Sequence, residues 1–281
     1  MIEILCDSTC DLPQLLLEQY HITVLPHFII WGSQQFRDRV DLQPADFYRR
    51  LERDPVLPTT SAVPEVEFLQ AFRRLRADGA DEIVVPMINA SFSGAYQNAV
   101  AASLQVDFPV HVVDTRTTTL GLGLLVLAAA RLRDAGAGAA EIVARVDAIR
   151  RGLHLHVCLD TLDFLQKGGR IGRAKHLIGT LLQVKPVLDV DARSGEVIDL
   201  ATTRTRRKSV EEFYQRFFQT IDPGRPFRVA LSHGDAPDEA ARLIERIQQE
   251  YRPLDILTNI TGPVLGINTG PRALALAGYN E

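Results

Sequence analysis

The feature that most constrains the fold is the order of elements in the first half of the chain, where short apolar runs lead into amphipathic segments. Strands are predicted at 3–6, 22–30, 82–87 and 110–113. Helices are predicted at 12–19, 44–53 and 64–76, and the last two carry a proline near the first turn, where its missing N–H costs least. A strand-then-helix order favours a parallel sheet with helices on its faces.

The second half of the chain predicts a different sheet. After a helical segment at 141–151, six strands are predicted at 153–159, 186–191, 196–203, 227–232, 254–260 and 273–279. The second and third are joined by Asp-Ala-Arg-Ser-Gly, a hairpin signal, so part of this sheet is antiparallel and the sheet is mixed. We expect an α/β protein with a Rossmann-like N-terminal domain at 1–152 and a C-terminal α/β domain with a six-stranded mixed sheet at 153–281.

Composition excludes several classes of function. The 281 residues carry a net charge of −4, which indicates neither a nucleic-acid partner nor an anionic membrane. Three sparse cysteines suit a reducing cytoplasm, and the start MIEILCDSTC lacks the pattern of a signal peptide. The longest apolar segment, 120–130, is too short to span a bilayer. We expect a cytoplasmic protein without stable membrane insertion.

Several loops at predicted strand ends are rich in Ser, Thr, Gly and Asp. They lie at 7–9, 59–61, 91–94, 114–115 and 262–271. Ligands of open parallel sheets bind at the carboxyl ends of strands, where hydroxyls and backbone N–H groups favour anions. Helix capping explains any one of these loops equally well. Together they could converge on one crevice.

Ser93, in the stretch PMINASFSGAYQN at 86–98, is open to three interpretations: a nucleophile, a helix cap or one wall of an anion site. A nucleophile elbow requires G-x-S-x-G, and neither Ser91 nor Ser93 has that context. The chain also lacks a P-loop, and Cys6 and Cys10 lack a second pair at zinc-finger spacing. We therefore expect no catalytic residue, no ATP site, no metal and no cofactor.

A basic cluster at Arg204, Arg206, Arg207 and Lys208 precedes a helix predicted at 210–218. Such a cluster is either a solvated face or, in a chain of net negative charge, a docking patch for an acidic partner.

A series of motifs occurs in one order along nearly the whole chain. They lie at 7–13 (DSTCDLP), 60–61, 93–97 (SGAYQ), 113–115 with 121–123, 160–162, 167–171 (KGGRI), 184–186, 204–206 and 262–266 (GPVLG). With these motifs the chain resembles the DegV family, whose members are similar to the fatty-acid-binding subunit of bacterial fatty acid kinase.

The resemblance implies a substrate carrier of phospholipid metabolism rather than an enzyme. A deep apolar pocket between two domains would hold a long-chain fatty acid with its carboxylate outward. A separate ATP-dependent kinase subunit would then phosphorylate that carboxylate to an acyl phosphate. The carboxylate contacts carried over by the motifs are Thr60, Ser61 and Ser93, with Gly94 allowing close backbone approach.

Three positions in the loop 266–272 depart from the family pattern: Ile267, Asn268 and Arg272. Asn268 stands where the family has a histidine, and an amide cannot become cationic. Arg272 stands where glycine is usual, and it would either return the charge or block the portal. We therefore expect Asn268 to contact the ligand and binding to survive, with phosphoryl transfer weakened or altered.

The resemblance also suggests apolar pocket residues and a docking surface. Candidates for the pocket wall are Phe28, Ile30, Phe92, Leu177, Ile178, Leu181, Leu182 and Ile267. Candidates for docking the kinase are Arg170 and the basic cluster.

Two other functions stay open. One is a stand-alone acyl-ester hydrolase that uses Ser93. The other is a ketose-binding kinase subunit, because the substrate domain of dihydroxyacetone kinase resembles this fold.

Overall fold

The computed structural model describes residues 1–177 and 184–281, which form three β-sheets with helices between and around them. The strands are β1 Ile2–Asp7, β2 Ile22–Leu25, β3 Phe28–Trp31, β4 Gln34–Arg37, β5 Thr59–Ser61, β6 Glu82–Met87, β7 Val110–Asp114, β8 His154–Cys158, β9 Lys185–Val190, β10 Val197–Thr203, β11 Phe227–His233, β12 Ile256–Ile260 and β13 Leu274–Asn280. The helices are α1 Gln14–Gln19, α2 Pro44–Leu51, α3 Glu65–Ala77, α4 Ala95–Ser103, α5 Thr119–Asp134, α6 Ala139–Gly152, α7 Asp163–Gly168, α8 Arg206–Phe218, α9 Pro237–Glu250 and α10 Pro263–Thr269. Short 3-10 segments occupy Ser8–Cys10 and Gly172–Leu177.

The first sheet has the order β2-β1-β6-β7 with all neighbours parallel, which confirms the parallel sheet predicted for the first half. Ile4 lies beside Ile22 on one side and Val84 on the other. Ile4, Leu5, Val84 and Val85 are fully buried, because helices cover both faces of the sheet.

The second sheet has the order β10-β9-β8-β13-β11-β12 and confirms the predicted six-stranded mixed sheet. Only the β11–β12 pairing is parallel. The predicted hairpin is the antiparallel pair β9–β10, and Gly195 in its turn has φ +74°, a conformation that glycine adopts without strain.

One predicted strand was wrong in extent. The segment 22–30 is two strands, because the chain leaves the first sheet after Leu25 and enters a third sheet of order β4-β3-β5 at Phe28. Pro26 lies at this break and has no N–H to donate to a ladder, so pairing stops there. Strands β4 and β5 were not predicted, since their residues are polar and mostly exposed.

Helix α5 lies between the first and second sheets and contacts β1 and β6 on one side and β11 and β13 on the other. Its segment 120–130 is buried on every face, as expected for a helix that is apolar all round. One continuous core therefore crosses from the first sheet to the second. The domain division at residue 152 stays a prediction. Within the two described ranges, no helix is both long and apolar enough to cross a membrane.

Candidate functional site

A cavity of about 130 Å³ lies between the loops of the first and third sheets and one face of the second sheet. Its polar lining residues are His27, Thr60, Ser93, Thr118, Arg170, Asn268 and Thr269. Its other lining residues are Ala62, Ile88, Phe92, Gly94, Val157, Leu159, Leu165, Leu188, Val190, Val197, Val264 and Leu265.

The apolar floor of the cavity is one face of β8, β9 and β10. Val157 pairs with Leu188, and Val190 pairs with Val197. Residues directly opposite each other in antiparallel strands project to the same face, so these four side chains form one continuous apolar surface. The sequence predicted the strands and the hairpin, yet which face meets the cavity depends on the packing of the sheet.

Ser93 and Gly94 lie at the start of α4, beside the cavity. The Ala95 backbone N–H donates to Ser93 Oγ at 3.2 Å. The first turn of a helix presents N–H groups that have no helical acceptor, and its dipole favours negative charge. Within residues 1–177 and 184–281, no histidine hydrogen-bonds to Ser93, so the activated pair of a serine nucleophile is absent there.

Ser91 ties the same loop to the second sheet instead of capping α4. Its backbone N–H donates to Asn89 Oδ1 at 2.9 Å, and its Oγ lies 3.3 Å from Gly195 O. Asn89 Nδ2 donates to the same carbonyl at 2.6 Å. The turn of the β9–β10 hairpin is therefore fixed against the loop that carries Ser93.

The third sheet divides its predicted site residues between two faces. Thr60 lines the cavity and pairs with Ile29, whereas Ser61 pairs with Phe28. Because side chains alternate along a strand, Phe28, Ile30 and Ser61 all face away from the cavity. The prediction that these three residues line the pocket is therefore wrong. Ala62, which is on the same face of the strand as Thr60, lines the cavity.

Asn268 lies on α10, where two elements approach closely. Its Nδ2 donates to Val264 O at 3.0 Å, and it lines the cavity. A Cβ at Gly168 would overlap Asn268 Oδ1, so glycine is what lets α7 pack this near α10. Ile267 packs against the third sheet and lines an adjoining outer pocket of about 200 Å³, which shares Thr60, Arg170 and Asn268 with the cavity.

Arg272 lies outside the cavity, so it neither returns a charge to the pocket nor blocks it. Its guanidinium pairs with Asp160 at 3.4 Å and Glu239 at 3.2 Å, and its side chain is 50% exposed. Its backbone has φ +61°, the left-handed region in which a Cβ is strained.

We expect Arg272→Gly to be about 1 kcal/mol more stable than Arg272→Ala, because only glycine relieves the left-handed backbone while both variants lose the same exposed ion pairs. Urea unfolding measures the difference. The control is the pair Arg242→Gly and Arg242→Ala, at an exposed position in the interior of α9, where the alanine variant should be the more stable by about 1 kcal/mol. Equal stability of the two Arg272 variants would contradict the strain argument.

The basic cluster is only partly available to a partner. Helix α8 begins at Arg206, four residues earlier than predicted, and the Arg206 guanidinium pairs with Glu239 at 2.7 Å and Asp160 at 3.6 Å. Its side chain is 13% exposed, which corrects its assignment to an open docking patch. The exposed members of the cluster are Arg204, Arg207 and Lys208. Arg170 lies at the cavity rim, where its Nε donates to Phe92 O at 3.1 Å.

Asp7 of the Asp-Ser-Thr motif positions the loops behind the cavity and does not line it. Its carboxylate accepts from Thr9 N at 2.9 Å and Ile88 N at 3.0 Å, and it lies 3.3 Å from His27 Nε2. Burial acts to raise the pKa of Asp7, but His27 and these N–H and hydroxyl donors outweigh burial and lower the pKa below its ordinary value. Asp7 is therefore ionised at neutral pH.

Asp11 joins four parts of the chain at one buried carboxylate. It accepts from Arg39 at 2.6 Å, from Thr119 Oγ1 at 2.7 Å and from Gly262 N at 2.9 Å. Nearby, burial raises the pKa of Asp38, which accepts from Ser8 Oγ, to about 6. This network holds the Gly262 end of α10, and hence Asn268, against the first sheet.

Four other predicted pocket residues are not among the described lining residues of the cavity. Ile178, Leu181 and Leu182 lie outside the described residues, and Leu177 packs against a core cluster beside the cavity without lining it. His27, Thr118 and Thr269 line the cavity and were not predicted. The position of His27 directly after Pro26, inside an apolar run, was the one signal that could have marked it.

Comparison with known proteins agrees with this architecture. Residues 1–281 match the sequence model of a family described as "Uncharacterised protein, DegV family". A fatty-acid-binding DegV family protein from Thermus thermophilus is similar with a TM-score of 0.93 and 29% identity, covering 100% of this chain and 99% of its own. DegV from Bacillus subtilis, described as a fatty acid binding protein, has a TM-score of 0.91 and 27% identity over 100% and 99% of the two chains.

A third solved structure is that of a stearic acid-binding protein from Eubacterium ventriosum. It is similar to this chain with a TM-score of 0.92 and 25% identity, covering 100% of this chain and 98% of its own. Family match and fold thus extend over the whole length, and the chain belongs to the DegV family.

Proposed function

We propose that this protein binds a long-chain fatty acid in the cavity, with the carboxylate at the polar end and the tail on the apolar floor. The observation that carries the proposal is one cavity that joins Thr60, Ser93, Gly94 and Asn268 to the apolar face of β8, β9 and β10. The fatty-acid-binding relatives support it. The cavity would then lie between the proposed domains at 1–152 and 153–281.

The energetics favour binding through the tail. Burial of a ~16-carbon chain at about 0.8 kcal/mol per methylene gives on the order of 12 kcal/mol before ordering and association costs. Submicromolar affinity needs only about 8 kcal/mol. The polar end of the cavity therefore needs to orient the acid more than to drive its binding.

We further propose that the protein is a carrier whose bound acid is phosphorylated by a separate ATP-dependent kinase. The outer pocket shares Thr60 and Asn268 with the cavity, so a carboxylate at these residues would be reachable from outside. Arg204, Arg207 and Lys208 are exposed and would dock an acidic surface of that kinase.

Two alternatives have less support. An acyl-ester hydrolase needs a base bonded to Ser93, and the described residues supply none in hydrogen-bond contact with it. A ketose-binding subunit needs a small polar pocket, whereas most lining residues here are apolar. A chromogenic ester tests the hydrolase: turnover that disappears in Ser93→Ala would establish it in place of the carrier.

Native mass spectrometry of the purified protein tests the proposed function. We expect a co-purified mass of a long-chain fatty acid, which is lost on delipidation and regained when octadecanoate is added. A protein that stays empty after this addition, or that carries a sugar, would overturn the proposal. Formation of an acyl phosphate with ATP and the kinase of the same organism tests the carrier role separately.

Gly94→Ala should weaken fatty-acid binding about tenfold without loss of stability. A Cβ at Gly94 would meet nothing within 4 Å, and the backbone has φ −67°, so neither packing nor strain requires glycine there. The methyl group would occupy the space in which we place the carboxylate. Calorimetric titration with octadecanoate measures the change.

Gly138→Ala is the matched control. Gly138 also precedes a helix, has φ −74° and has nothing within 4 Å of a built Cβ, but it does not line the cavity. Both variants should unfold within about 1 kcal/mol of the parent protein. Unchanged octadecanoate binding in Gly94→Ala would show that the carboxylate does not lie beside the start of α4.

A further inference from the structure

His27 is a buried histidine that faces the cavity. It lies between β2 and β3, is 2% exposed and is part of the cavity lining. Phe28 pairs with Ser61, so continuing the antiparallel register sets His27 opposite Ala62. Opposite residues share a face, which agrees with the presence of Ala62 and Thr60 in the same lining.

Ser8 and Asp7 hold His27 in place from the side of the first sheet. Its backbone N–H donates to Ser8 Oγ at 3.2 Å. Its Nε2 lies 3.3 Å from Asp7 Oδ1, and no other group in the described part of the chain contacts that nitrogen as a hydrogen-bond partner. His27 also lines the cavity, so a ligand bound there can contact its imidazole.

Groups of both signs lie near His27, including the buried carboxyl groups of Asp7 and Asp38. Among the described lining residues, His27 and Arg170 are the two that can carry positive charge. Arg170 is exposed at the rim, and its guanidinium is engaged with the carbonyl oxygens of Phe92 and Gly168. Asp7 lies on one side of the imidazole, with its Oδ1 at 3.3 Å from Nε2.

We propose that His27 is a specificity residue that donates a charge-assisted hydrogen bond to the carboxylate of the bound ligand. The proposal rests on the proposed function and deepens it, because it names the group that selects an acid over a neutral lipid. A hydrogen bond to an ionised carboxylate is about twice as strong as one between neutral groups, and His27 would add one such donor to that of Asn268. In this arrangement the imidazole lies between two carboxylates, Asp7 of the protein and that of the ligand.

The test compares a fatty acid with the alcohol of the same length. Octadecanoate and octadecan-1-ol share the tail and differ in the head group that His27 would contact. His27→Gln keeps a side-chain N–H donor but cannot become cationic. We expect it to weaken octadecanoate binding about tenfold and octadecanol binding less than twofold. His111→Gln is the control, since His111 pairs with Glu82 and does not line the cavity.

The outcomes distinguish failure of the role proposed for His27 from failure of the proposed fatty-acid-binding function. Equal losses for acid and alcohol would mean that His27 only maintains the shape of the cavity, and no loss for the acid would mean no contact; either result overturns the role of His27. A parent protein that binds neither ligand would overturn the proposed function itself.

If the His27→Gln variant does not fold, the proposal can be tested on the parent protein by NMR. With ¹⁵N-labelled imidazoles, octadecanoate should move one histidine signal toward the protonated position, and octadecanol should not. Histidine signals that respond equally to both ligands, or to neither, overturn the proposal.

Discussion

Val197→Phe is expected to weaken octadecanoate binding about 100-fold. Val197 lies on the apolar floor opposite Val190, and a phenyl ring there would fill part of a cavity of about 130 Å³. Displacing about four methylenes of the tail costs ~3 kcal/mol at ~0.8 kcal/mol each, which is a factor of about 100 in the dissociation constant. Calorimetric titration with octadecanoate measures the loss.

Ile198→Phe is the control, because Ile198 is the next residue of β10 and projects to the opposite face of the sheet. Its affinity for octadecanoate should equal that of the parent. Undiminished binding by Val197→Phe would show that the tail does not lie on the β8–β9–β10 floor.

Asp11→Ala should destabilise the protein by about 3–5 kcal/mol. The substitution leaves the largely buried Arg39 guanidinium without its carboxylate partner and removes the acceptor of Thr119 and Gly262. Asp11 also has φ +52°, a conformation in which alanine is strained. Chemical denaturation measures the free energy of unfolding.

Asp41→Ala removes another aspartate from an arginine pair and is the matched control. Asp41 pairs with Arg37 at the surface, where such a pair contributes about 0–1 kcal/mol. The same small loss in both variants would contradict the structural role that we assign to the Asp11 network. Octadecanoate binding should also weaken in Asp11→Ala, because the network holds the Gly262 end of α10.

The local pattern of the sequence predicted most of the regular structure. Periodicity and β-branched runs indicated the strands of the first sheet, and a turn signal between two runs indicated the β9–β10 hairpin. The strand 22–30 was predicted as one because apolar content continues through Pro26 and His27, although the proline interrupts the ladder. Strands β4 and β5 exist through pairing with β3, which composition does not reveal.

The local sequence pattern predicted only some of the residues that line the cavity. Thr60, Ser93, Gly94 and Asn268 were predicted and meet at one cavity, since the ends of strands converge at the edge of a sheet. Ser61, Phe28 and Ile30 were predicted too, but they face away from the cavity. In the β3–β5 pairing, side chains alternate between the two faces of the sheet, and Thr60 is on the face that meets the cavity. A shift of one residue moves a side chain to the other face of a sheet, and only the register decides which face is inside.

By itself, the sequence determined most of the element types, the parallel and mixed sheets and the family. Those properties depend on periodicity, turn residues and motif order, which are local. The tertiary structure alone decided that α5 lies between the two sheets, that Arg206 and Arg272 pair with Glu239, and that His27 joins Ser93 at one cavity. These contacts join residues far apart in the chain, so they depend on how the sheets pack against each other.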